Sequence, residues 1–315
     1  MFGVYFTFDG KDSRDYHLVM ANMSSSTADI PLQVDRDLLA GTLNRHRNVV
    51  NSMGTTFSDV LRFSISLMHD ECEGQAEAVF TEEEIDEIAA WLTSPDYPLL
   101  FHMYDYQTKT ETTTTETTDP ETGETITTTE TTTTNFDYYR KYDYYGTFTG
   151  IDTFAVNDRI YGLTITFTTN SPFAWSKLKT YESTYTAPEE GAEEEARTEN
   201  IRCTTSERRR EVYPVITINA PITEELGTHS VTIRSVTDGG RELTVEVNPG
   251  DPTVIDCWKT RAWNSSGSLT FEDLGIGDYS EIYWPRLYYG DNEIEIEGDA
   301  NVTFEWREPR KVGAY

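Results

Sequence analysis

The feature that most constrains this chain is a two-residue alternation of apolar and polar side chains. From Phe57 to Leu67, Phe57, Leu61, Phe63, Ile65 and Leu67 fall on one face, and Ser58, Arg62, Ser64 and Ser66 on the other. That period puts one side in a core and the other toward water, so it predicts a half-buried strand. Ile160 to Thr168 repeats it, with Tyr161, Leu163, Ile165 and Phe167 against Thr164, Thr166 and Thr168. Val4 to Phe8 is a shorter apolar strand that stops at the turn dipeptide Asp9-Gly10. A chain patterned this way is mostly β.

One helix interrupts the pattern. Thr81-Glu82-Glu83-Glu84 has the form of a capping box, with its glutamates in the first turn where the helix dipole favours them. Ile85, Ile88, Ala89 and Leu92 follow at helical spacing, and Ser94-Pro95 ends the segment. The apolar stripe predicts a helix from Glu82 to Leu92 packed on a sheet.

Two segments are compositionally distinct. Thr108 to Thr134 is almost pure Thr and Glu, with Asp119-Pro120-Glu121-Thr122-Gly123-Glu124 as a turn between two threonine-rich arms. It has too few apolar residues for a core of its own, so it is a projecting β-hairpin or a loop insert. Residues 179–212 contain the acidic run from Pro188 to Glu195 and end near Arg208-Arg209-Arg210; they read as an acidic linker. The tyrosines between Asn135 and Tyr145 suit a half-buried strand better than a stacking platform for bases.

Beyond the linker, seven or so short apolar runs lie between turn signals such as Asp238-Gly239-Gly240 and Asn248-Pro249-Gly250. These include Val215–Ile218, Val231–Val236, Leu243–Val247, Val254–Trp258, Leu269–Phe271, Ile294–Ile296 and Val302–Trp306. That density of short strands predicts a β-sandwich. The expected organisation is an N-terminal β domain with one helix (1–178), the linker (179–212) and a C-terminal sandwich (213–315).

Charge narrows the partners. Fifty-five Asp and Glu against 25 Lys and Arg give a net charge of −30. Such a chain repels phosphate, which argues against specific nucleic-acid binding and against an anionic membrane, and suits a surface that DNA passes without sticking. Cys72, Cys203 and Cys257 are too scattered for a disulfide framework or a zinc site. The opening residues lack the form of a signal peptide, and no apolar run is long enough to span a bilayer.

Chemistry is hard to find. His17, His46, His69, His102 and His229 form no metal-spaced set, and there is no nucleophile elbow, phosphate loop or dinucleotide fingerprint. No catalytic, metal or cofactor-binding residue is expected, and no enzyme activity.

The motifs taken together resemble the distal tail protein (Dit) family of long-tailed bacteriophages. Phe6-Thr7-Phe8-Asp9-Gly10-Lys11-Asp12-Ser13 is similar to that family's first strand and turn, with Asp9 in place of the usual Asn. Ala90-Trp91-Leu92 with Pro98-Leu99-Leu100-Phe101 resembles its helix end and following strand, and Ile165 to Trp175 the close of its N-terminal domain. Tyr213 to Ile218, Tyr288 to Ile294 (with Tyr289 where proline is usual) and Val302 to Arg307 resemble elements of its second domain. The resemblance implies an N-terminal β-barrel-like domain related to tail-tube proteins, followed by a galectin-like β-sandwich. It implies a virion structural protein assembled in the host bacterial cytoplasm. Six copies would form a ring between the tail tube and the tail-tip hub or baseplate. The sandwich would dock receptor-binding proteins, and DNA would pass through the lumen. Two alternatives come from other classes: a carbohydrate-binding sandwich using Trp258, Trp263 and Trp284, or a glycoside hydrolase accessory protein.

Overall fold

The structure, a computed structural model, describes residues 5–21, 35–44, 49–57, 59–70, 78–118, 125–187, 196–222, 227–277 and 282–311. The chain divides into two compact units, Met1–Ala174 with Lys311–Tyr315, and Trp175–Arg310.

The first unit is built from β1 (Tyr5–Phe8), β2 (Lys11–Asp12), β3 (Leu18–Ala21), β4 (Arg36–Asn44), β5 (Val49–Phe57), β6 (Arg62–His69), helix α1 (Glu82–Thr93), β7 (Leu99–Thr118), β8 (Thr125–Val156) and β9 (Arg159–Thr169). The main sheet runs β2-β1-β7-β8-β9-β6-β3 with antiparallel neighbours, and β4 and β5 form a separate two-stranded sheet. No sheet closes into a barrel among the described residues. At one end β2 is two residues long and runs into a 3-10 turn, Ser13–Tyr16, that Asp12 caps. The expected alternation is present on β6 and β9: Phe63, Ile65, Leu67, Leu163, Ile165 and Phe167 are buried in one core with Phe6, Phe8, Phe101 and Phe148. The capping box on α1 forms in both directions, with Glu84 N–H to Thr81 Oγ1 at 3.2 Å and Thr81 N–H to Glu84 Oε2 at 2.8 Å. Ile88, Trp91 and Leu92 are its buried residues and join the same core.

One boundary is corrected. The strand expected from Phe57 begins at Arg62, and Phe57 closes β5 instead. Asp59 accepts from the Val60 N–H at 2.8 Å, a local turn bond, and the Leu61 carbonyl accepts from the Thr169 N–H at 2.9 Å. An even spacing across a turn mimics one continuous strand.

The second unit is a two-sheet sandwich. Its strands are β11 (Lys179–Ser183), β12 (Arg197–Cys203), β13 (Val215–Asn219), β14 (His229–Ser235), β15 (Arg241–Val247), β16 (Thr253–Asp256), β17 (Arg261–Asn264), β18 (Gly267–Leu269), β19 (Gly290–Glu297) and β20 (Asn301–Trp306). One sheet runs β11-β20-β13-β16-β17-β18 and the other β12-β19-β14-β15. The short β10 (Ala174–Ser176) pairs with β21 (Pro309–Arg310). Ile216, Ile218, Ile255, Val302 and Phe304 from the first sheet share a core with Val231, Ile233, Leu243, Val245, Ile294 and Ile296 from the second.

Residues 179–212 depart from the linker expectation, because two strands lie within them: β11 pairs with β20, and β12 with β19. Only Ile201 and Cys203 of β12 are buried apolar residues, so its amphipathic signal is faint in the sequence. The acidic run at 188–195 lies outside the described residues. Two sandwich strands also shift: Val254–Trp258 ends at Asp256, and Leu269–Phe271 is replaced by β18 and the turn after it.

Candidate assembly site

Threonine's β-branched side chain favours the extended backbone, and the Thr-rich segment is extended. β7 and β8 pair in continuous register from Tyr104↔Tyr139 to Thr118↔Thr125. Their neighbours in the main sheet stop short of this stretch: β1 pairs β7 only as far as Tyr104, and β9 pairs β8 from Gly146 onward. Lys109–Thr118 and Thr125–Thr134 pair with each other as a two-stranded ribbon beyond the reach of β1 and β9. At about 3.4 Å per residue, its ten-residue arms extend roughly 34 Å. The register breaks at its root between His102↔Asp143 and Tyr104↔Tyr139, a bulge of the kind that bends a strand and re-aims it. His102 Nδ1 and Asp143 Oδ1 are hydrogen-bonded beside the break.

The first strands are clipped by a polar cluster around the turn after β2. Asp12 Oδ1 accepts from the Arg14 N–H at 2.9 Å, its other oxygen pairs with the Arg14 guanidinium at 3.2 Å, and the Tyr104 hydroxyl donates to the same carboxylate. Arg14 lies over the Tyr5 and Tyr104 rings at 5.7 and 5.1 Å. Asp9 and Gly10 both have positive φ, 51° and 70°, which Asp tolerates and Gly adopts freely; Asp9 can therefore serve where Asn is usual.

In the second unit the most developed polar site centres on Glu308, which is fully buried. It accepts from Lys179 Nζ at 2.7 Å, from the Thr204 N–H and hydroxyl at 2.8 Å each, from Trp306 Nε1 at 3.2 Å and from Arg310 Nη2 at 2.6 Å. Burial alone would raise the carboxyl, but these donors outweigh it and hold it down at about 2. The neighbouring Cys203 thiol is pushed up to about 11, mainly by burial, so it stays protonated and inert. A second cluster joins Asp238 to Arg286 Nε at 2.8 Å and to the Tyr288 hydroxyl at 2.8 Å. Arg286 also reaches Glu211 at 3.4 Å. Burial opposes ionisation of Asp238, yet the hydrogen bonds from Arg286 and Tyr288 leave its carboxyl below the usual range. Both clusters bind secondary-structure elements to one another; neither opens onto a described cleft.

The residues singled out in the sequence are dispersed. Trp258 is 72% exposed in the turn after β16, with Tyr213 5.5 Å away and tilted by 59°. Trp263 lies on β17 under Arg261, and Trp284 packs toward the sandwich core beside Phe271. No described ring contact joins two of these tryptophans. His17 caps the 3-10 turn in a left-handed conformation, and His69 packs on Phe80 at 3.9 Å. No group of three or more His, Cys, Asp or Glu that could hold a metal occurs among the described residues. Cys203 and Cys257 are buried free thiols, while Cys72 and His46 lie outside the described residues. Tyr144, from the tyrosine-rich stretch, is a core residue against Phe63, with ring centroids 5.2 Å apart. Arg208 lies over the Tyr289 ring at 4.5 Å. No described helix is long and apolar enough to cross a membrane. Glu308, Lys179 and Arg286 gave no signal in the sequence, and Asp238 only that of a turn, since each is an ordinary charged residue until distant segments bring it to its partners.

Residues 1–115 match the family model described as the phage tail protein N-terminal domain, a match that ends within β7. That match covers just over a third of the chain; over the whole chain the likeness is one of fold. In fold the chain is similar to the SPP1 Dit protein, described as a paradigm of the hub adsorption apparatus in phages infecting Gram-positive hosts. The TM-score is 0.56 at 11% identity, over 96% of this chain and 98% of that one. A chain of the phage P2 baseplate, in its activated conformation with Ca, gives 0.51 at 9% identity, over 98% of each. No curated protein sequence matches the chain.

Proposed function

We propose that this chain is a structural virion protein, a hexameric distal tail adapter that joins the tail tube to the tail-tip hub. The observation that carries the reading is a coincidence of two independent likenesses. The first 115 residues match a phage tail family, and the fold of nearly the whole chain, both units in order, is similar to SPP1 Dit. In this reading the first unit forms the ring and the second docks receptor-binding components. The ring's lumen lets DNA pass, consistent with a net charge of −30. The protein catalyses no reaction. Six copies related by one head-to-tail interface close a ring. The test is a particle map of the virion with the chain identified at the tail tip. Six copies around the tube axis are expected; another copy number, or a position away from the axis, would overturn the reading.

A glycan-binding role for the second unit draws support from Trp258 alone. Tyr213 beside it is tilted by 59°, so the pair offers no flat platform for a sugar ring. The adapter reading is therefore preferred, and a glycan array with purified protein should give no signal that Trp258→Ala abolishes.

A further inference from the structure

Arg208, Arg209 and Arg210 stand exposed on the second unit of a chain whose net charge is −30. Acids abound, yet among the described residues no ion pair joins any of the three to a carboxylate. Arg202 and Arg234, also exposed, are each paired, with Asp291 at 2.8 Å and Glu242 at 3.0 Å. Of the two glutamates that flank the arginine run, Glu211 is held by Arg286 at 3.4 Å.

Exposed aromatic rings bound the same stretch. Tyr289, 46% exposed, lies under the Arg208 guanidinium at 4.5 Å. The Tyr213 ring is 5.5 Å from that of Trp258, which is 72% exposed. The chain from Arg208 to Tyr213 thus runs from one ring to the other over less than about 20 Å. Pairing fixes this stretch in place. Val212 and Leu287 exchange N–H to carbonyl bonds at 2.9 and 2.7 Å, and the Cys257 N–H donates to the Pro214 carbonyl at 3.2 Å. Lys259, beside Trp258, adds a cation that Asp256 meets at 3.3 Å. Arg, Trp and Tyr are the side chains that dominate binding energy at protein interfaces, and a fixed frame lowers the cost of ordering them.

We infer that this patch docks an acidic protein segment, which presents carboxylates to the three arginines and an apolar side chain to Trp258. The inference deepens the docking role proposed for the second unit and rests on it. Two features choose the partner. Guanidinium forks fit carboxylates and phosphates alike, but a phosphate polymer has nothing apolar with which to cover Trp258. A polypeptide carries both kinds of group. A patch this small also suits a short segment: a long polyanion such as duplex DNA would continue onto acidic surface that repels it.

Fluorescence anisotropy with the full-length chain tests this. The probes are a labelled peptide Glu-Glu-Leu-Glu-Glu-Phe-Glu-Glu, an all-glutamate peptide of the same length, and duplex DNA and inorganic polyphosphate of matched charge. The mixed peptide should bind most tightly, and its affinity should fall as salt is added. Arg209→Ser with Arg210→Ser should weaken it by about tenfold or more. Trp258→Ala should weaken the mixed peptide and leave the all-glutamate peptide unchanged. Arg234 already has its charge met by Glu242 and Glu295, so Arg234→Ser should have no effect. Circular dichroism checks that each variant is folded. No saturable binding of the mixed peptide, an equal loss with Arg234→Ser, or tighter binding of DNA or polyphosphate would overturn the inference. So would sedimentation showing that the double arginine variant loses self-association, because the occupant would then be a second copy. The assay needs no ring, so its failure sinks the patch and leaves the adapter reading standing; a virion map without six axial copies sinks that reading and leaves the peptide result untouched.

Discussion

Asn292 and Tyr288 are joined by two hydrogen bonds: Asn292 Oδ1 accepts from the Tyr288 N–H at 2.7 Å, and its Nδ2 donates to the Tyr288 carbonyl at 2.9 Å. The same amide donates to the Ile201 carbonyl at 3.1 Å, and the side chain is fully buried. A side-chain amide has the donor and acceptor that this turn needs, which gives an asparagine within the Tyr288 to Ile294 segment a physical basis. Asn292→Ala should cost about 2–4 kcal/mol, because it strands several buried backbone groups. Asn292→Asp loses the donor and aims a carboxylate at carbonyls. Its deficit should shrink as pH falls from 7 to 4 and the acid regains a proton to donate. Urea unfolding of the three proteins at both pH values checks this; a deficit for Asn292→Asp that grows on acidification would refute the assignment.

Glu308 should couple the second unit to acid. Its carboxyl is held at about 2 in the fold, below the ordinary value of 4.5. The stabilisation is therefore complete above about pH 4.5 and drains as pH falls toward 2. The contribution is on the order of 2 kcal/mol after allowance for solvent screening. Glu308→Gln should flatten the acid limb of the stability curve, and at neutral pH it should be less stable than wild type, with Lys179 and Arg310 left without their shared carboxylate. Thermal unfolding from pH 2 to 7 measures both effects.

Gly146 and Gly150, both on β8, should respond differently to alanine. A Cβ on Gly146 would meet the Thr168 carbonyl oxygen at 2.3 Å and the Thr169 Cα at 2.8 Å, both backbone atoms that cannot swing aside. On Gly150 its closest neighbour is the Thr166 Cβ at 3.7 Å, an ordinary contact. Gly146→Ala should destabilise the first unit by about 3 kcal/mol or more, and Gly150→Ala by less than about 0.5 kcal/mol. Equal midpoints in a denaturant titration would contradict this difference in backbone spacing between β8 and β9.

Trp91 ties α1 to the first strand. Its indole N–H donates to the Phe8 carbonyl at 3.0 Å, and its ring stacks on Phe6 and Tyr16 at 5.5 and 4.6 Å. Trp91→Phe keeps most of the packing and loses the bond, for an expected cost of about 1–2 kcal/mol. Trp91→Ala also leaves a cavity and should cost about 3–5 kcal/mol. Chemical denaturation of both variants resolves the two contributions.

What was legible in the sequence is local. The Thr81–Glu84 capping box, the Asp9-Gly10 turn and the alternation on β6 and β9 each depend on residues a few positions apart, so the sequence alone determined them. Composition likewise determined the acidic charge and the extended bias of the threonine arms. Periodicity assigns a face to a strand but does not choose its neighbour. It could not place β1 beside β7, seat β20 between β11 and β13, or find β12, whose polar residues hide its two buried positions. Nor could it find the Glu308 cluster, whose partners Lys179 and Thr204 lie 129 and 104 positions away. Only the tertiary structure decided these, because a buried carboxylate is stable only when donors from distant strands converge on it, and that convergence belongs to the sheet order.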